Sequence, residues 1–297
     1  MEISHSAQFL QFAFERRFAY PAFNVWNLEI GKALVQAATE EEAPVILQTF
    51  YGDLHYSGSA ELSAATHAVI AGSPLPILLH LDHPDGLPML VRCLQLGYRS
   101  VMFDGGALSL DENIAASKQA AEIGHAVGAT VEAELGQFGG EHQAGTVTEA
   151  NPDDCERLVK ETGVDMLAVS AGSVHGQKSR LNRSLLHNIA KRVQRPLVLH
   201  GGSGIPREDT DVALEEGVVK INIGAAIFEA WTTGLREGLD PALADKSGHE
   251  PLHYSVTRQG MKRVTEVARE RIRRFRASGQ GPALRQLLLQ CDTAAVA

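Results

Sequence analysis

Pro76-Ile77-Leu78-Leu79-His80-Leu81-Asp82-His83 is the stretch on which the fold turns: an apolar run ends on an acid beside a histidine. Charged and imidazole groups at the end of a buried strand need a partner, a metal or water, because burying them bare is costly. Two later runs end in the same way. Met166 to Gly172 continues to His175-Gly176, and Pro196 to Leu199 ends on His200-Gly201-Gly202-Ser203-Gly204. Three strand ends thus bring histidines to what reads as one metal site.

Working outward, the chain alternates between short apolar runs and amphipathic helices. Before the opening stretch stand the strand Ala22-Phe23-Asn24-Val25 with a helix from Asn27 to Glu42, and the strand Pro44 to Thr49 with a helix from Ser59 to Ala71. After it come a helix from Gly86 to Leu96, the strand Ser100 to Asp104 with a helix from Asp111 to Val127, and the strand Thr130 to Leu135 with a helix from Pro152 to Thr162. Asp165 to Ala171 pairs with Ser184 to Val193, Pro196 to His200 with Arg207 to Glu215, and Val218 to Ile223 with Ala225 to Gly238. Eight strands, each followed by a helix, predict an α/β fold of the (β/α)8 TIM-barrel type, in preference to an open doubly wound sheet. Ser4 to Arg17 reads as a leading helix with Ser4 as its N-cap. Pro241 to Tyr254 reads as a polar excursion, Thr257 to Arg276 as a long basic helix, and Pro282 to Gln290 as a short apolar helix that covers an end or a subunit contact. The expectation is one barrel domain over residues 1–297, with 241–297 as its helical extension.

The formal charge of −9 argues against a general nucleic-acid surface and favours small-molecule partners. Cys93, Cys155 and Cys291 form no CxxC and no pairable pattern, so they read as buried or idle thiols in a reducing compartment. The N-terminal apolar residues are interrupted by Gln8, Gln11 and Glu15, unlike a signal peptide, and no run approaches the ~20 apolar residues that span a bilayer. A cytoplasmic location is expected.

In a parallel barrel all strand ends meet at one rim, so Asp82, His83, Asp104, Glu134, His175, His200 and Asn222 are expected there together. Three imidazoles, His83, His175 and His200, match the three protein ligands of a catalytic zinc site with its fourth position open. Asp104 and Glu134 either orient those imidazoles, offer a second metal position, or are structural. Asp82 is the expected general acid/base, with support of His80 or His83 as the bland alternative. The turn Gly201-Gly202-Ser203-Gly204 offers unobstructed N–H groups before a helix, which suits an anion, and is otherwise a tight turn.

These residues resemble the class II, metal-dependent fructose- and tagatose-bisphosphate aldolases over nearly the whole chain. The likeness is carried, in order, by Ala22-Phe23-Asn24-Val25, Asn27-Leu28-Glu29, Pro44-Val45-Ile46-Leu47, His80-Leu81-Asp82-His83, and Ser100-Val101-Met102-Phe103-Asp104-Gly105 with Glu112-Asn113-Ile114. It continues through Val131-Glu132-Ala133-Glu134-Leu135-Gly136, Gly139-Gly140, His175-Gly176, Leu197 to Gly204, and Lys220-Ile221-Asn222-Ile223. The resemblance implies His83, His175 and His200 as Zn2+ ligands, Asp82 as acid/base on the substrate hydroxyl, and Asp104 and Glu134 at an alternative metal position. It implies that Gly176, Gly201, Gly202, Ser203, Asn222, Ile223, Gly224 and Ala225 hold dihydroxyacetone phosphate, helped by a monovalent cation (Na+ or K+). The implied reaction is cleavage of a ketose phosphate in carbohydrate metabolism such as glycolysis, by a homodimer or homotetramer.

Three departures stand at the ligand. Ala225 and Ala226 follow where the family supplies a Thr and an acid, Phe50 stands where it has a small Ser or Thr, and His142, with Glu141 one place earlier, replaces the Glu that exchanges a substrate proton. The metal residues are intact, so the resemblance implies metal-assisted aldol chemistry and leaves the ketose open. Other readings are a carbon–carbon lyase for a differently charged substrate, a non-catalytic metal-binding subunit, and a Schiff-base aldolase on Lys220, which shares strand parity with Asn222.

Overall fold

The computed structural model describes residue 3, residues 5–138, 147–174, 176–244 and 252–296. Eight parallel strands close into a barrel in sequence order: β1 (Tyr20–Asn24), β2 (Val45–Phe50), β3 (Ile77–Asp82), β4 (Ser100–Phe103), β5 (Thr130–Leu135), β6 (Met166–Val169), β7 (Leu197–Leu199) and β8 (Val218–Ile223). Strands such as β3 and β8 are buried at every position. Helices cover their outer faces, which explains apolar runs without alternation.

Local chemistry sets the helix starts. The leading helix α1 (Ser6–Arg16) begins after His5 with no side-chain cap, so the expected Ser4 cap is replaced by a later start; Ser4 lies outside the described residues. Asn27 caps α2 (Leu28–Glu40) by accepting from the Ile30 N–H at 2.9 Å. After β2 comes a short helix the sequence did not suggest, α3 (Tyr51–Ser57), and then α4 (Ser59–Ala71). Helices α5 (Leu87–Gln95) and α6 (Leu110–Ala126) follow, the latter opened by a reciprocal Ser109–Glu112 capping box. Asn151 caps α7 (Pro152–Thr162), and Asn182 caps α8 (Arg183–Val193) before α9 (Arg207–Glu215).

The C-terminal part differs most from expectation. Helix α10 (Ala225–Ala244) runs past Gly238 and Pro241, and α11 (Leu252–Arg274) starts five residues before Thr257, so both ends of the expected polar excursion are helical, while 245–251 lie outside the described residues. Glycines explain it. A Cβ on Gly234 would stand 2.5 Å from the Gln259 carbonyl and one on Gly260 2.7 Å from the Trp231 ring, so these glycines let α10 and α11 approach rather than break them. Helix α11 also lies against α2, and α12 (Gly281–Val296) closes on α1. No helix among the described residues is long and apolar enough to cross a membrane. Cys93 and Cys155 are buried and Cys291 half-buried, with no disulfide.

The barrel interior is partly polar. Gln48, His80, Glu132, Lys220 and His200 are all buried on strands or at their ends. Register places Gln48 beside His80 and Phe50 beside Asp82, while Ala22 of β1 pairs with Asn222 of β8. Side chains from β2, β3 and β8 therefore converge on one point of the carboxyl rim.

Candidate active site

A cavity of about 960 Å³ opens at that rim, lined by groups that include Asp82, His83, Gly176, Gly201, Ser203, Asn222 and Ala225. Asp82 is held at both oxygens. Gln48 Nε2 donates to Oδ2 at 2.9 Å, and Asn222 Nδ2 to Oδ1 at 2.9 Å. The same Gln48 amide donates to Asn24 Oδ1 at 2.8 Å, which fixes its orientation. Burial opposes the Asp82 charge, but His83, Lys220 and His200 outweigh it and lower the carboxyl pKa. The group is thus ionised and oriented, as a base must be.

His83 follows Asp82 in the left-handed region at φ 44°, a costly conformation for a residue with a Cβ and one that collects at functional sites. Its Nδ1 meets Asp104 Oδ2 at 2.9 Å, and Gly106 donates its N–H to the other Asp104 oxygen at 3.0 Å. His200 is gripped by two acids: Nε2 lies 3.0 Å from Glu132 Oε1 and Nδ1 3.1 Å from Glu134 Oε2. The His83 and His200 rings stand 4.8 Å apart, and Phe138 stacks on His200 at 5.0 Å.

The charge balance follows from these contacts. Burial works against a cation on His83, yet Asp82, the hydrogen bond to Asp104 and Glu134 push its pKa up to about 10. Asp104 is buried, which opposes its charge, but His83 holds its carboxyl at about 2. Burial and the nearby Asp104 raise Glu134, whereas Lys220 and His200 overcome burial to lower Glu132. Two donor groups result. Asp82, His83 and His200 offer ligand atoms within 4.8 Å of one another, and so do His83, Asp104 and Glu134. This mixture of imidazole and carboxylate donors, with a carboxylate against His83 Nδ1 and one against each nitrogen of His200, fits a divalent transition metal. Such an ion competes with the protons these acids now favour on the rings.

The glycine-rich turn is built by close packing. Gly201 has φ 68°, and a Cβ on Gly204 would overlap the Gln177 carbonyl, so the loop bearing Gly176 lies directly on the Gly-rich turn. Ser203 Oγ accepts from the Ala226 N–H at 3.3 Å, tying the turn to the start of α10, whose N-terminal end attracts anions. From behind, Arg271 donates to the Ser203 carbonyl at 3.5 Å and Arg274 to the Ile205 carbonyl.

A barrel with an acid, two carboxylate-held imidazoles and a glycine cradle at one rim can be compared with known proteins. Residues 4–280 match the family described as fructose-bisphosphate aldolase class-II. This chain belongs to that family. The 6-phospho-5-dehydro-2-deoxy-D-gluconate aldolase of Bacillus velezensis is 36% identical over 273 residues, covering 89% of this chain and 92% of the relative. The D-tagatose-1,6-bisphosphate aldolase subunit GatY of Klebsiella oxytoca is 36% identical over 245 residues, covering 80% and 85%. Among solved structures, the YdjI aldolase of Escherichia coli K12 superposes with a TM-score of 0.82 at 29% identity, covering 93% of this chain and 98% of that one.

In this class II aldolase, Asp82, His83, Asp104, Glu134, His200 and Asn222 meet at the rim as the strand ends suggested. His175, Glu141, His142 and the Gly139-Gly140 pair lie outside the described residues. Ile223 is wholly buried at the end of β8. Lys220 stays out of the cavity: its Nζ is buried 2.9 Å from Glu132, an ion pair rather than an accessible amine for a Schiff base. Sequence reasoning missed Gln48, Asn24, Glu132 and Asp53. Parity was the available signal, since Glu132 shares a strand face with Glu134.

Proposed function

We propose that this protein is a Zn2+-dependent aldolase that cleaves a ketose phosphate to dihydroxyacetone phosphate and an aldehyde. The observation that carries the reading is Asp82, ionised and fixed at both oxygens beside the His83–His200 donor pair. His83 and His200, joined by His175, would hold the ion, with Asp104 and Glu134 orienting the rings or taking part in a second position. When bound, the cation supplies an electrophile that polarises the ketose carbonyl.

This chain's own residues do the rest. Gly176, the turn from Gly201 to Ser203 and the segment from Asn222 to Ala225 bind the phosphate end through backbone N–H groups, with the α10 terminus and Arg271 adding positive potential. A monovalent cation there would assist. Asp82 accepts the proton of the substrate hydroxyl as the adjacent carbon–carbon bond breaks, and Gln48 and Asn222 keep it in line for that transfer. The aldehyde then departs from the Asp82 side, and a proton delivered by Glu141 or His142 to the carbon left with the bond's electron pair completes dihydroxyacetone phosphate. Two relatives named for phosphorylated sugar substrates, one a keto-deoxy acid phosphate and one a tagatose bisphosphate, support a sugar phosphate here. A homodimer or homotetramer working in the cytoplasm is the accompanying expectation.

The test is release of dihydroxyacetone phosphate from a panel of ketose phosphates, read by a coupled reductase. Chelation should abolish release and Zn2+ restore it, and Asp82→Asn should lower kcat by about 10²–10⁴-fold. Undiminished cleavage by either the chelated protein or the variant defeats the proposal.

A further inference from the structure

The wall of the cavity opposite the glycine cradle carries a carboxylate that the reaction above does not use. Asp53 sits in the first turn of α3, half-buried, and lines the cavity together with Asp82. Its location follows from the barrel order: β2 stands four strands from β6, so the loop after β2 faces the loop that carries Gly176 across the mouth. A ketose anchored by its phosphate at β6 to β8, with its reacting carbons over Asp82, extends its remaining carbons toward α3.

The neighbours of Asp53 define what that end accepts. Phe50 is the last residue of β2; its ring lies 6.5 Å from the His83 ring and folds over Gly52, where a Cβ would stand 2.8 Å from the ring. The wall is therefore an aromatic face with one carboxylate beside it. Among the described residues that line the cavity there is no lysine or arginine. Burial and the nearby Asp82 push the Asp53 carboxyl up to about 6, so it is ionised at neutral pH. A second phosphate or a carboxylate on the aldehyde half would meet like charge with no countercharge from these lining residues. Hydroxyl groups would instead donate to Asp53, and sugar C–H groups would pack on Phe50.

We infer that Asp53 is the specificity-determining residue for the aldehyde half of the substrate, selecting a neutral, hydroxylated aldehyde and rejecting anionic ones. This rests on the aldolase reading and narrows it to ketoses that carry a single phosphate.

Aldol condensation tests it. Dihydroxyacetone phosphate is offered with glyceraldehyde, glyceraldehyde 3-phosphate or succinic semialdehyde, and kcat/KM is measured for each at pH 7.5. Wild-type protein should favour glyceraldehyde over both anions by about tenfold or more, the equivalent of roughly 1.4 kcal/mol of like-charge repulsion. Asp53→Asn should narrow that ratio by about tenfold. Asp53→Ala, compared by melting temperature to establish folding, should narrow it as well and also weaken glyceraldehyde. Preference of the wild type for either anionic aldehyde, or a ratio unchanged in both variants, overturns the inference while leaving the aldolase reading intact. Absence of condensation with every aldehyde overturns the aldolase reading, and the inference with it.

Discussion

Replacing Glu132 by Gln should separate the stability of this barrel from its metal chemistry. Glu132 is wholly buried, 2.9 Å from Lys220 Nζ and 3.0 Å from His200 Nε2, with His80 Nε2 at 3.5 Å. Removing one charge of a buried pair strands the other, which costs about 3–5 kcal/mol, whereas replacing both by groups of similar volume is close to neutral. For a chain of this size roughly 2 °C of melting temperature corresponds to each kcal/mol, so Glu132→Gln should melt about 6–10 °C lower. Adding Lys220→Met should recover most of that loss. Zinc affinity should behave differently, because the double variant restores the charge balance but not the carboxylate on His200. It should stay about 10–100-fold weaker than wild type by competition with a chromophoric chelator. Melting of Glu132→Gln within 2 °C of wild type, or zinc affinity returning along with stability, would refute the reasoning.

Asp104→Asn removes the anion on His83 Nδ1 and should weaken zinc binding about 10–100-fold in the same chelator competition, with little change in fold by circular dichroism. Glu41 provides a pH-dependent contribution far from the rim: burial opposes its charge, but Arg273, Arg269 and Ser278 hold its carboxyl at about 2 instead of 4.5. A depressed carboxyl stabilises above its unfolded value, so the contribution is complete above pH 4.5 and is lost as pH falls through about 2. Because both arginines are substantially exposed, the stabilisation discounts to roughly 1–2 kcal/mol. Urea unfolding of Glu41→Gln should show that deficit at pH 7 and its disappearance near pH 2; a constant deficit across the range would count against the assignment.

The eightfold alternation and the rim histidines were readable because each depends on local pattern. A buried parallel strand is a short apolar run, and its end shows where the run turns polar, so Asp82-His83 and His200-Gly201 declare themselves. Gln48 did not, because its partners Asn24, Asp82 and the neighbouring strand lie far along the chain, and inside an apolar run it reads only as an interruption. Helix α3 escaped notice because Phe50 occupies its N-cap and supplies no side-chain hydrogen bond, leaving no start signal. The end of α10 was misjudged for a tertiary reason. Gly234, Gly238 and Pro241 resemble helix breakers, yet at the first two glycines the backbone of α11 is what occupies the space.

That seam of glycines has a mechanical consequence. Helix α10 departs from the glycine cradle through the Ser203–Ala226 hydrogen bond, and α11 returns to it through Arg271. The two rods form a pair of tongs whose jaws are the cradle and whose pivot is the bare-backbone crossing at Gly234 and Gly260. A single methyl group on Gly234 would meet the Gln259 carbonyl at 2.5 Å, so the spacing of the two rods behind the turn is set by residues that lie far from it along the chain.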